Sequence, residues 1–330
     1  MSFHLEVAAM KLRRILFLAL SLAMLMLLGA SGCGQDPVDA RFAGLAEGTD
    51  GASPRDIRGL WMIDGAAWAM TASSLARCGD GRCVDFPTYM VQWSPGQQRF
   101  YYVQQRTLFS YDPAAEETAE VCKIHRDAHV LAAVTDRYAI AAQERGTACF
   151  RVDLDTLEVL PFTAVLETPL DSRKDQLLYS ADNCLLEYDC AENKSVCLYA
   201  PAEEDTRLVS ACYDGDGNVL FVCRRGEYRE RGTLYHWDRE TGKTEPVETP
   251  ADAAAVCRAG ETLLCAGSVW NEENYGELHL YRKSPAGEWT EISLPEALPY
   301  TALTDLCRLA VNETRFALAC RGALVTGELR

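Results

Sequence analysis

LYHWDRETGKTEP, residues 234–246, gathers an aromatic pair, an acid, a Thr-Gly turn and a basic residue into one short stretch. Such a stretch is either a place where something binds or a structural unit that recurs because the fold needs it. Recurrence decides between them. LFSYD lies at 108–112, FRVD at 150–153, LLEYD at 185–189 and LHLYR at 278–282. The last residues of the five copies fall at 112, 153, 189, 238 and 282, at intervals of 41, 36, 49 and 44.

Each copy is preceded by a short apolar segment: RFYYV, RYAIAA, QLLYS, NVLFVC and TLLCAG. Each is followed by a polar turn and another short segment: AEVCKI, LEVLPF, SVCLYA, TEPVET and WTEISL. Further apolar segments come before the units, such as TYMVQW, HVLAAV, LVSACY, AAAVC and LTDLCRL. Short segments with regular turn signals read as strands, and four per unit of roughly 40 residues make the blade of a β-propeller. Within 234–246, Leu234 and His236 alternate with Tyr235 and Trp237, which gives a strand two faces. Asp238 and Thr241 are expected to cap the turn and Gly242 to take positive φ.

The pattern resembles the repeats of YVTN-type, quinoprotein-type and TolB-type β-propellers, cleanly at 234–246 and in part elsewhere, where Thr-Gly is missing. The resemblance implies the fold and no ligand. The repeated Trp and Gly pattern of quinone-cofactor propellers does not recur. Partial units bracket the five: GLWMID, AAWAMT and a Cys78–Cys83 hairpin at the start, and LTDLCRL, RFALAC and GALVTGEL at the end. The fold is therefore expected to be an all-β propeller of about seven four-stranded blades, with six or eight as alternatives. The last unit ends one strand short, so a strand from near ARFAGL at 40–45 is expected to close the ring.

Residues 11–14 read KLRR and precede an apolar run from Ile15 to Ala30 broken by one Ser, the make-up of a secretory signal and short for a spanning helix. Ala30-Ser31-Gly32-Cys33 resembles the bacterial lipobox, in which the signal is cut before a Cys that carries diacylglycerol. The resemblance implies lipidation of Cys33 and anchoring by buried acyl chains; an ordinary cleaved signal is the alternative. The stretch after Cys33 is rich in Gly, Ala, Asp and Pro and reads as a tether. The expected organisation is signal peptide 1–32, lipidated Cys and tether 33–56, and propeller domain 57–330.

Without residues 1–32 the chain carries 29 Lys and Arg against 47 Asp and Glu, a net charge of −18. That balance argues against nucleic acid or an anionic membrane surface as a general partner. There are 14 Cys, and 13 if Cys33 is acylated, an odd number that excludes complete internal pairing. Cys78 and Cys83 flank a four-residue turn, and Cys307 and Cys320 mirror each other about Asn312–Arg315, so these are the two candidate disulfides. Most others lie in apolar strand patterns, where Cys serves as a small buried hydrophobe.

No catalytic or metal-binding signature emerges. His125 and His129 have i, i+4 spacing without the Glu of a zinc helix. Asp214-Gly-Asp216-Gly-Asn218 imitates the start of a calcium loop but continues with Val219 and reaches Arg225 where Glu is needed, so a hairpin turn accounts for it. No metal or cofactor is expected. The turns after the second strand of each blade should share one face, and two adjacent ones are long. They supply a candidate binding surface of Arg224, Arg225, Tyr228, Arg229, Arg231, Trp270, Asn271 and Tyr275, aromatics beside Arg being favoured at interfaces. The competing reading is that these turns simply lengthened, since Glu in the same loops nearly cancels the charge. The functional expectation is a membrane-anchored extracytoplasmic binding or scaffold module for a protein or glycan partner. The alternatives are a carbohydrate-active enzyme using the central funnel and a structural accessory of an envelope complex.

Overall fold

The computed structural model describes residues 57–71, 74–78, 83–86, 90–124, 128–143, 149–162, 164, 166–203, 205–225, 231–270, 276–294, 298–300, 307–320 and 323–329. They form seven antiparallel sheets, the blades of a seven-bladed β-propeller. Blade 1 comprises Gly59–Ile63, Ala66–Met70, Ser74–Arg77 and Cys83–Asp85; blade 2 comprises Val91–Ser94, Arg99–Gln104, Thr107–Asp112 and Glu117–Lys123. Blade 3 comprises Val130–Val134, Tyr138–Ala142, Cys149–Asp153 and Val159–Phe162; blade 4 comprises Thr168–Arg173, Gln176–Ala181, Cys184–Asp189 and Lys194–Tyr199. Blade 5 comprises Thr206–Tyr213, Val219–Arg225, Arg231–Trp237 and Thr244–Val247. Blade 6 comprises Asp252–Ala259, Thr262–Trp270, Gly276–Lys283 and Trp289–Ile292, with Leu298–Tyr300 sharing the outer edge of Gly276–Lys283. Blade 7 shows Cys307–Val311, Arg315–Cys320 and Ala323–Glu328. The segment expected to complete it, the signal, Cys33 and the tether lie outside the described residues.

The first strands of successive blades touch one another, and the ring closes where Gly59–Ile63 meets Cys307–Val311. At this seam Arg308 Nε donates to Ile57 O at 2.9 Å and Arg315 Nη1 donates to Gly65 O at 2.9 Å. Seven apolar clusters lie between the blades, each shared by two neighbours. A middle strand therefore buries both faces, which is why the second strands read as unbroken apolar runs rather than alternating ones. In VLFVC of blade 5, Val219, Phe221 and Cys223 face blade 4, while Leu220 and Val222 face blade 6. Each such side chain contributes about 1.5–3 kcal/mol of burial.

LYHWDRETGKTEP is resolved as structure. Leu234 packs toward blade 6, and Tyr235 and Trp237 pack toward blade 4. Asp238 Oδ1 accepts the Thr241 amide and the Thr241 hydroxyl, both at 2.7 Å, and Gly242 has φ of +66°. Asp112 caps Ala114 and Ala115, Asp153 caps Asp155 and Thr156, and Asp189 caps Glu192 in the same way. The residue four places after each Asp is left-handed even where Gly is absent: Glu116, Leu157 and Asn193 have φ of 59°, 62° and 58°. The turn outlasts its best sequence because the Asp cap and the strand register both enforce it.

Two register findings depart from the sequence reading. Cys83 stands opposite Ala76, two residues before Cys78, so the Cys78–Cys83 hairpin is not symmetric about its turn. The inner strand of blade 4 is TPLDSR, a polar segment not anticipated as a strand. The inner strands of blades 3 to 6 each carry a bulge, with Ala132, Leu170, Val209 and Ala254 as the extra residues. In a bulge one residue loses its ladder partner and the strand turns locally. Beside two of these bulges, groups meet the next blade: Ser210 Oγ accepts the Val256 amide at 3.1 Å, and Asp171 Oδ2 accepts the Tyr213 amide at 2.8 Å.

Candidate functional site

Blades 5 and 6 stand out in the length of their middle hairpins. Their second and third strands run seven and seven residues in blade 5 and nine and eight in blade 6, against four to six in the other five blades. Because the turns between first and second strands lie at the base, the added length projects on the opposite face. At about 3.3 Å per residue, blade 6 rises roughly 10 Å beyond a six-residue strand. The sequence placed its candidate surface on this rim.

The structure locates part of that surface. Arg231 opens the third strand of blade 5 opposite Arg225, and Trp270 ends the second strand of blade 6 opposite Gly276. Tyr228, Arg229, Asn271 and Tyr275 lie outside the described residues. Arg224 is 5% exposed, with its guanidinium 5.0 Å from the centre of the Tyr300 ring, so it supports the rim from within. Arg225 is exposed and pairs with Glu203, with Asp205 at 4.0 Å. Val269, beside Trp270, leaves 49% of its surface in water, as Val196 of blade 4 does at 47%.

The opposite face holds a feature that the sequence reading missed. Arg173, Lys174, Asp175, Gln176, Asp189 and Arg239 line an open cleft of about 330 Å³ between blades 4 and 5. Its wall is a network between these blades. Glu187, 8% exposed, accepts Arg239 Nη1 at 3.1 Å and the Tyr213 hydroxyl at 3.0 Å, and Arg239 Nη2 also donates to it. Arg239 Nε donates to Gly217 O at 2.8 Å, and its guanidinium lies 5.4 Å from the Trp237 ring. Hydrogen bonding to Glu187 raises the Arg239 pKa, and burial, followed by the Glu187 charge, raises that of Tyr213. Behind them, burial pushes Asp171 up to about 6, against amides of Tyr213 and Ser172 that lower it. With Arg239 held by Glu187 and with Asp175 and Asp189 beside Arg173 and Lys174, cations and anions are close to balance.

A sequence signal for this network existed. Two places before the repeating Asp stand Ser110, Arg151, Glu187 and His236, polar residues in the middle of otherwise apolar strands. Ser110, Arg151 and Glu187 are buried. Arg151 Nη1 donates to Cys190 O of blade 4, so polar groups at this position tie one blade to the next.

The Asp214 loop is a hairpin turn whose carboxylate is spent on protein donors. Oδ1 accepts the amides of Asp216 and Asn218, each at 2.9 Å, and Oδ2 accepts Asn218 Nδ2 at 2.9 Å. Burial pushes its pKa up, but these bonds and Arg258 outweigh it and leave Asp214 below the usual carboxylate range. His236 lies 3.7 Å from the same carboxylate, and His279 contacts Glu291 at 2.8 Å on the outer edge of blade 6, so the two histidines serve separate places. Among the described residues no group of three or more His, Cys, Asp or Glu is arranged to hold a metal ion.

Compared with known proteins, the chain matches no protein-family model and no curated protein. Solved structures do resemble it. A chain of Kuenenia stuttgartiensis hydrazine synthase is 9% identical with a TM-score of 0.55, over 86% of this chain and 98% of that one. A chain of a mitotic checkpoint complex is 10% identical with a TM-score of 0.53, over 85% and 96%, and U3-55K is 8% identical with a TM-score of 0.51, over 83% and 97%. Identities this low show the fold alone, and propellers host unrelated functions.

Proposed function

We propose that the chain is an exported lipoprotein, anchored through an acylated Cys33 on the extracytoplasmic side of a membrane, whose propeller binds a protein or glycan partner. The observation that carries the binding role is the raised rim of blades 5 and 6, with Val269 half in water beside Trp270 and Arg225 exposed nearby. An edge that stands above its neighbours and carries an exposed apolar side chain beside an Arg–Glu pair is a surface that gains by being covered. The anchor rests on the basic 11–14 segment, the apolar run that follows and the small residues before Cys33. The acidic balance of the rest of the chain leaves nucleic acid outside the partner class.

The carbohydrate-active enzyme remains the second reading. It asks for two facing carboxylates, one raised in pKa. Two carboxyls among the described residues are raised. Both oxygens of Asp171 accept backbone amides. Asp175 instead lines the cleft with Asp189 and is raised by burial and then, against the pull of Arg137, by the charges of Asp189, Asp136 and Asp153, so this pair is where the second reading would look for its acid and base.

The test is the full-length protein captured from its native envelope, with and without Trp270→Ala and Tyr275→Ala. The double variant should unfold at the wild-type temperature and lose its partner at least about tenfold, the effect of removing a modest hot spot. Undiminished capture would sink the binding surface. In parallel, Cys33→Ser should move the protein from the membrane to the soluble fraction, and retention in the membrane would refute the anchor.

A further inference from the structure

Among the described cysteines, Cys307 and Cys320 are the one pair set directly opposite each other in a sheet register. They stand at the open end of the hairpin formed by the first two strands of blade 7. The turn fixes the kind of pair they make. The Asn312 amide donates to Arg315 O at 2.9 Å, so Asn312 and Arg315 are a hydrogen-bonded pair, and pairs alternate along an antiparallel ladder. The register runs without a shift from Val311–Phe316 to Cys307–Cys320, five steps from that turn pair, so the cysteines form a non-hydrogen-bonded pair. In such pairs the Cα atoms are about 4.5 Å apart and the side chains are closest, within the roughly 4.4–6.8 Å that a disulfide spans. Both residues also belong to the same apolar cluster between blades 6 and 7.

Other close cysteines fail this test. Cys83 faces Ala76 rather than Cys78. Cys184 and Cys197 interact through their thiols, but Cys197 is in register with Leu186, two residues away from Cys184 and across a shift. Diagonal neighbours sit at about 7–8 Å.

We propose that Cys307 and Cys320 are joined by a disulfide in the exported protein, stapling the inner hairpin of the blade at which the ring closes. The two thiols give up two protons and two electrons to a disulfide oxidant, such as oxidised glutathione or the disulfide of a thiol oxidase. The oxidant leaves as two thiols, and one S–S bond forms. Burial pushes the Cys307 thiol far above its usual range, so the folded protein offers little thiolate for this exchange. The effect of the bond falls on the seam, where Arg308 and Arg315 of the same hairpin bind the carbonyls of Ile57 and Gly65 in blade 1.

The proposal depends on export for its oxidant in the cell, and on the register alone for its geometry. Two preparations separate these. Detergent-solubilised full chain is unfolded, reduced and refolded in a glutathione redox buffer; a second sample is taken directly from the native envelope. Free thiols are alkylated before digestion and mass spectrometry. A Cys307–Cys320 linked peptide is expected in both. Reduction should lower Tm by about 5–10 °C, with no such shift in Cys307→Ala. Alkylation of both thiols after oxidative refolding, or linkage of Cys307 to another cysteine, overturns the proposal. Linkage after refolding but free thiols in the envelope sample supports the bond and overturns export to an oxidising compartment.

Discussion

Leu157 occupies the left-handed position that Gly242 fills in the cleanest copy of the repeat, with φ of 62° and 45% of its surface exposed. A branched side chain held there costs about 1–2 kcal/mol, and Gly relieves this at a smaller cost in chain entropy. Leu157→Gly is therefore expected to stabilise the protein by about 1 kcal/mol in urea unfolding; a loss of stability would mean that the Asp153 turn is not under strain. Asp171 makes a pH-dependent contribution whose sign follows from its raised pKa, about 6 when folded. Between about 4 and 6 the folded state holds the proton that the unfolded state releases, so the contribution of Asp171 is greatest below pH 4 and is lost as pH rises through 6. It is opposite in sign to those of Asp112, Asp153, Asp214 and Asp238, whose lowered pKa values favour the folded state at higher pH. The Asp171 loss is about 3 kcal/mol for a shift of this size. Asp171→Asn should flatten the profile between pH 4 and 7.5 by about that amount, whatever it does to stability at either end. An unchanged slope would place the titration elsewhere.

At the scale of strands, the blades are held by close approach as well as by apolar burial. Gly232, in the third strand of blade 5, lies against the backbone of the innermost strand of blade 6, and a Cβ there would overlap the carbonyl of Ala253. Backbone cannot yield as a flexible side chain can, so Gly232→Ala should cost about 3 kcal/mol or more. A cost below about 1 kcal/mol would show that blades 5 and 6 can separate slightly without penalty. The repeat and the seven blades were legible in the sequence because middle strands bury both faces and so read as VLFVC or RFALAC, while Asp marks each outer turn. TPLDSR was not legible: where the inner strands VLAAV, LVSACY and DAAAVC carry apolar runs, this one carries Thr, Asp, Ser and Arg and is buried only in part. Leu298–Tyr300 was missed because three residues give no period, and its strand character comes from pairing with Gly276–Leu278. The Glu187–Arg239–Tyr213 network was hidden because its members are 26 and 52 residues apart, although Glu187 occupies a recurring polar position.

The whole molecule is a closed ring in which the described buried ionic groups serve turns and joints between blades. Glu187, Asp153, Asp214 and Asp171 each accept donors that keep a turn or a neighbouring strand in place. What is left over for recognition is uneven: one rim rises at blades 5 and 6, and the cleft on the other face is nearly charge-balanced. We propose that the raised rim meets the partner. Two valines of almost equal exposure allow a direct comparison, Val269 on that rim at 49% and Val196 on the outer strand of blade 4 at 47%. A photo-reactive amino acid placed at either position in the full-length protein, in its native envelope, reports what lies against each. A partner seated on the rim gives a discrete cross-linked product from position 269 and none from position 196. Equal labelling from both, or a product from 196 alone, would contradict the proposal.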